Sequence, residues 1–267
     1  MAGLTGKTIS SAYKSILRVD DDSNGIDTTL ESITDGEGTA TPLKISDDVV
    51  QILHNNDDTT FAMQVASKGG TALLSVDTTN SVVKAGVGQF NVLTQYAYFG
   101  ITASNSTANV AGTHYPLIFG LGGTSLSFGD QPNHFGTGTD PATTFTTADA
   151  TDQRAGELIR YMMYVPDNIS VDAVYSIEGA DAATGDTTRF HLMSYTFNSG
   201  STSCLASGTL VAHSDDTTNA GSEQVYKSTW NIDNASVSAG KVLICTFESD
   251  SVNSDFAYQA IIKYHLV

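Results

Sequence analysis

The sequence is poor in cations, cysteine, proline and long apolar runs, and each shortage excludes something. Only 12 Lys+Arg stand against 29 Asp+Glu, a formal net charge of −17. Nucleic-acid binding needs a basic footprint that displaces phosphate counterions, so no nucleic-acid partner is expected. The same charge disfavours anionic membrane surfaces. No apolar run approaches the ~20 residues of a spanning helix, so no membrane partner is expected. Residues 1–7 lead into no apolar signal stretch, which predicts synthesis in a cytoplasm. Cys204 and Cys245 are the only cysteines. They make no disulfide framework and no metal spacing, so a buried, reduced pair is predicted. Long helical periodicity is missing as well.

What is present is β-forming. Hydrophobic residues make up 40% of the chain, with 11 Phe and 11 Tyr, enough for a sizeable core. Gly, Thr, Ser, Asp and Asn recur throughout as turn formers, and only 5 Pro occur. The predicted class is all-β.

The clearest pattern runs over residues 61–86. Phe61, Met63 and Val65 alternate with smaller or polar residues, and Lys68-Gly69-Gly70 marks a tight turn. Ala72, Leu74 and Val76 repeat the alternation, Asp77-Thr78-Thr79-Asn80 turns again, and Val83, Ala85 and Val87 suggest a third strand. So small a meander cannot bury its own apolar face. It needs a partner, and nothing nearby in the sequence is apolar enough to supply one. Leu73-Leu74-Ser75-Val76-Asp77, a polar turn, then Val82-Val83-Lys84-Ala85-Gly86 is similar to the β-repeats of trimeric bacteriophage tail-fibre shafts. The whole chain resembles a family of marine-phage virion structural proteins. That resemblance implies a virion location, a homotrimer with Phe61, Met63, Val65, Leu74, Val76 and Val83 at its interface, and capsid or tail proteins as partners.

Residues 8–19 carry the one helical stripe: Ile9, Tyr13, Ile16 and Leu17, with Lys7, Lys14 and Arg18 on the opposite side. Residues 19–60 are by contrast acidic. A basic amphipathic terminus on an acidic protein predicts an anchor to another virion protein; the alternative is a helix folded back on the stem. Residues 20–31, DDDSNGIDTTLE, match the calcium-loop template, with Asp20, Asp22, Asn24, the Ile26 carbonyl and Glu31 as oxygen ligands. Asp27 at an ordinarily apolar position and the lack of a following helix favour a solvated acidic turn instead. Calcium is the only cofactor the sequence suggests.

Beyond residue 94, strand patterns recur at 114–119, 158–165, 171–177, 189–197, 208–212, 224–232, 241–247 and 256–267. In the third of these segments, 171–177, Val171, Ala173, Tyr175 and Ile177 form the apolar parity, and in the last Ala260, Ile262, Tyr264 and Leu266 do. About eight antiparallel strands predict a jelly-roll-like β-sandwich, each sheet with one wet face. Residues 189–197 are apolar at both parities, which predicts a central or interface strand. The expected organisation is an anchoring segment with an acidic linker (1–60), a trimeric β stem (61–93) and a C-terminal sandwich (94–267), with 90–101 joining stem to head.

The long loop 120–151 holds Phe128, Asn133, His134 and Phe135, residue types that stack on sugars and bond their hydroxyls; the alternative is packing of its Phe rings against a neighbouring subunit. No GxSxG, HExxH or phosphate-loop context is present, and the six His are scattered singly. The expected function is a non-enzymatic structural protein of the virion, with a receptor- or glycan-binding module contacting the host surface as the alternative.

Overall fold

The computed structural model describes residues 16–21, 23–54, 57–103, 110–120, 134–147, 155–180, 185–220, 224–250 and 256–267. The chain is nearly all β, in antiparallel sheets, and divides into two compact units, Met1–Val92 and Leu93–Val267.

The first unit contains two four-stranded sheets. One joins β1 (Arg18–Val19), β2 (Glu31–Thr34), β3 (Ala40–Ile45) and β4 (Val50–Ile52) in sequence order. The predicted helix over 8–19 therefore does not reach its expected end. Arg18 and Val19 pair with Thr34 and Ile33, and the Asp20 N–H donates to the Ser32 carbonyl, so cross-strand bonds replace helical ones. Residues 8–15 lie outside the described residues. Within the acidic stretch 19–60, β2, β3 and β4 pair as neighbouring strands.

The second sheet joins β5 (Met63–Ala66), β6 (Ala72–Asp77), β7 (Val82–Ala85) and β8 (Phe90–Asn91). Gly70 takes φ +84 to close the β5–β6 turn, the conformation that glycine adopts without steric cost. Phe61 precedes the sheet and Val87 follows β7, both in turns.

The second unit has two larger sheets. β9 (Thr94–Ala103), β11 (Ile118–Phe119), β13 (Ile169–Ala180), β17 (Gln224–Thr229), β19 (Ser236–Val237) and β21 (Phe256–Leu266) form one, in the path β11-β9-β21-β13-β17. The other contains β10 (Tyr115–Pro116), β12 (Met163–Tyr164), β14 (Thr187–Phe197), β15 (Leu205–His213), β16 (Thr217–Thr218), β18 (Asn231–Ile232) and β20 (Lys241–Ser249), in the path β10-β20-β14-β15-β18. Phe99, Val174, Tyr258 and Ile262 from the first sheet share one core with Phe190, Leu192, Leu243 and Phe247 from the second. Phe190 and Phe247 both lie 5.0 Å from the Tyr258 ring.

The units divide between Val92 and Leu93, within the 90–101 stretch, which also holds β8 and most of β9. Two expectations are corrected here. Residues 158–165 are not one strand, because α1 (Ala155–Leu158) and a 3-10 turn, Ile159–Tyr161, precede β12. The sheet containing β14 and β20 has no wet central face. Met193, Tyr195, Val242 and Ile244 point away from the shared core and pack under Phe135, Phe145, Leu158 and Leu205. Double-sided burial is why 189–197 is apolar at both parities.

Candidate functional site

Three places in the described residues collect chemistry: the β5–β8 sheet, a buried histidine pair, and a polar cleft in the second unit.

The register of the β5–β8 sheet sorts its side chains cleanly. Met63 lies opposite Val76 and Val65 opposite Leu74; these pair in turn with Val83 and Ala85, and Ala85 with Phe90. One face is thus wholly apolar. Met63, Val65, Val83 and Phe90 are exposed on it, and Phe61, in the preceding turn, is 59% exposed. The opposite face carries Gln64, Ser75, Asp77, Lys84 and Asn91, with Leu73 and Val82 among them. It is locked by its own hydrogen bonds. The Ser75 hydroxyl donates to Gln89 Oε1 at 2.6 Å, and Gln89 Nε2 donates to the Ala72 and Gly86 carbonyls. Lys84 Nζ and Asn80 Nδ2 donate to Asp77 Oδ2 at 2.7 and 2.9 Å. Lys84, then Asn80, hold the Asp77 carboxyl down at about 2. The sheet is therefore stitched on its polar side and uncovered on its apolar side. The predicted interface residues Met63, Val65, Leu74, Val76 and Val83 share that face.

The β1–β4 sheet also leaves apolar side chains uncovered, though Glu31 shares their face opposite Ile45. Val19 pairs with Ile33, Ile45 with Val50 and Leu43 with Ile52, and Leu43, Val50 and Ile52 are exposed. Of the predicted anchor residues, Ile16 and Leu17 are exposed and Arg18 pairs with Asp20 at 3.3 Å. Lys7, Ile9, Tyr13 and Lys14 lie outside the described residues.

The calcium-loop match is organised differently from the template. Asp21, which is not a ligand position, accepts the Ser23 and Asn24 backbone N–H groups, and these bonds lower its pKa. Gly25 has the expected positive φ, +72, but Glu31 is in β2, paired with Ile45. Among the described residues no three His, Cys, Asp or Glu side chains converge on a metal-sized point. Asp22 lies outside them.

The loop predicted to contact glycan is corrected at its centre. Phe135 is 1% exposed and packs 5.1 Å from Phe145 and 5.7 Å from Tyr195. It belongs to the core over β14, so it neither stacks on a sugar nor requires a neighbouring subunit. His134 is half-buried, its Nδ1 accepting the Gly136 N–H. Phe128 and Asn133 lie outside the described residues.

Under the same 134–147 segment the fold joins two histidines that the sequence separates widely. The His114 and His191 rings meet edge-on, 4.9 Å apart and fully buried. His114 Nε2 lies 2.8 Å from the Gly138 carbonyl and 3.6 Å from Glu248; His191 Nε2 lies 3.7 Å from Asp140. Burial first, then His114, pulls the His191 pKa down to about 3. The ring is neutral at physiological pH.

Beside it opens a cleft of about 430 Å³. Its lining includes Arg189, Asp216, Glu248 and Asp250 together with Thr187 and Ser249. Arg189 Nε donates to Asp216 at 2.8 Å. Among the described residues its carboxylates do not converge on one metal-sized point. Its residues come from the start of β14, the end of β20 and the segment before β16, so no spacing in the sequence announces them. No family model matches the chain, and no curated protein matches it.

Proposed function

We propose that the protein is a non-enzymatic bacteriophage virion structural protein, a homotrimeric fibre or capsid-decoration protein attached to the particle by its N-terminal segment. The observation that carries this reading is the uncovered apolar face of the β5–β8 sheet. A sheet whose polar side is already bonded internally has one side left for a partner. Three copies placing Leu74, Val76 and Val83 together bury what one copy exposes. The resemblance to shaft β-repeats falls on the same residues. The strand order of the second unit supports a jelly-roll head. β9-β21-β13-β17 and β10-β20-β14-β15 are strands one-eight-three-six and two-seven-four-five when the eight are counted along the chain.

Light scattering on the purified chain tests the reading. The expected mass is three times 28.1 kDa, and a monomer at micromolar concentration overturns it. Leu74→Asp is expected to dissociate the assembly while the Leu93–Val267 unit stays folded. Removing residues 1–17, which stops short of β1, is expected to leave folding intact and abolish incorporation into particles.

One observation favours a receptor-binding role alongside the structural one: the polar cleft around Arg189, Glu248 and Asp250. It relocates the glycan reading from the 120–151 loop to the ends of β14 and β20. A glycan array in which Glu248→Gln or Arg189→Gln removes binding supports it; binding unchanged by both excludes the cleft.

A further inference from the structure

The outer face of the β9-β21-β13-β17 sheet is patterned inside out. The apolar parity of β13 belongs inside by ordinary reasoning, yet a register shift between Val171 and Ala173 turns the strand over at Asp172. From there Val174, Ser176 and Glu178 point into the core, while Ala173, Tyr175 and Ile177 point out. Neighbouring strands continue the face. Tyr98, Ile261 and Tyr175 form one row across β9, β21 and β13; Gln259, Ile177 and Lys227 form the next across β21, β13 and β17; Tyr96 and Lys263 flank them. Val225 is 76%, Tyr96 56% and Ile177 41% exposed.

The face is also poor in acid. Asp172 is the one acid among its outward positions on β9, β13, β17 and β21, in a chain with 29 Asp+Glu. Asp172 is the bulge residue at the rim, and it is held by His265 Nδ1 at 2.8 Å. Lys227 Nζ lies 5.4 Å from the Tyr175 ring centre, so the cation is already seated on the patch. Tyrosine enrichment with few charges is the composition of an interface core.

We propose that this face is a second contact between copies of the chain, seating against an acid-bearing surface of the next copy in the assembly. The inference rests on the homotrimer reading. Two arguments choose the occupant. A chain of charge −17 approaches its own copies only through surface from which acid has been removed, and Lys227 and Lys263 then find carboxylates on the acidic neighbour. Size gives the second. Four strands about 4.8 Å apart and about 20 Å long present roughly 400 Å², half of what a free-standing interface buries per partner. Such a face is too small to hold a partner from solution, but sufficient between units already tethered at high local concentration by another contact.

The test uses the full-length chain. Isotopically light and heavy protein are mixed, reassembled and treated with a zero-length carbodiimide cross-linker. Light–heavy peptides joining Lys227 or Lys263 to a carboxylate are expected. The Ile177→Glu, Val225→Glu double variant, changed only at exposed positions, is expected to raise the concentration for half-dissociation at least tenfold. If that variant fails to fold, Lys227→Glu serves, with the same expectation. A wild-type monomer overturns the homotrimer reading and this contact with it. A wild-type trimer lacking those cross-links, with half-dissociation unmoved in the variants, overturns the contact alone.

Discussion

His191 is 1% exposed, its ring edge-on to His114 and its Nε2 3.7 Å from Asp140. Burial dominates over that carboxylate, which stands toward solvent, so the folded chain resists protonating the ring until about pH 3. The unfolded chain takes the proton near pH 6.5. Between these values the unfolded state binds more protons, so stability is full above about 6.5 and is lost as pH falls toward 3, at about 1.4 kcal/mol per unit. Chemical denaturation of wild type and His191→Gln at pH 7 and pH 5 checks this: the wild type is expected to lose about 2 kcal/mol more than the variant. Asp77 works in the same direction over a lower window. Its carboxyl, held at about 2 by Lys84 and Asn80, stabilises the β5–β8 sheet above pH 3.8 and releases it between 3.8 and 2. Asp77→Asn is expected to speed hydrogen exchange in β6 and β7 at neutral pH. Cys204 and Cys245 are both buried and free, as the lack of a disulfide framework or metal spacing suggested, and burial raises both pKa values.

At the scale of elements, the 134–147 segment behaves as a third layer rather than as a loop. The Tyr195 hydroxyl donates to the Ala142 carbonyl, and the Gly208 N–H to the Thr143 carbonyl, both at 2.8 Å. A Cβ at Gly208 would come within 2.6 Å of the Tyr195 ring and 2.8 Å of Thr143 Cα. Gly208→Ala is expected to cost about 1–3 kcal/mol by forcing the segment outward, read as a lowered melting temperature. Phe135→Ala is expected to cost about 3–5 kcal/mol, which a surface aromatic would not. Local patterning did locate most strands of the second unit. It failed at 158–161, where a helical turn precedes β12, and at 171–177, where one bulge residue reverses the facing of everything after it. Neither Arg189 nor Glu248 stood out, because the cleft is made where the ends of distant strands meet.

At the scale of the molecule, two units with different debts to their neighbours share one chain. The Leu93–Val267 unit buries a core between two sheets and a second one beneath the 134–147 segment. The Met1–Val92 unit has two four-stranded sheets with exposed apolar faces, and under the trimer reading draws its stability from other copies. Thermal unfolding is therefore expected in two transitions. The one belonging to the first unit should shift to lower temperature on dilution and the other should not. A single concentration-independent transition would remove the basis for that division.

The sequence by itself determined that this protein is nearly all β, where many of its turns fall, and that the 61–86 meander cannot cover itself. Those are matters of period-2 alternation and turn chemistry, which a single strand's residues carry. Only the tertiary structure decided which apolar residues are covered. Phe135, amid small polar residues, is sealed over β14, whereas Tyr175 and Ile177, in a strand patterned for burial, face outward. The physical reason is that facing depends on register, and register is set between strands, where a single extra residue at Asp172 exchanges inside for outside.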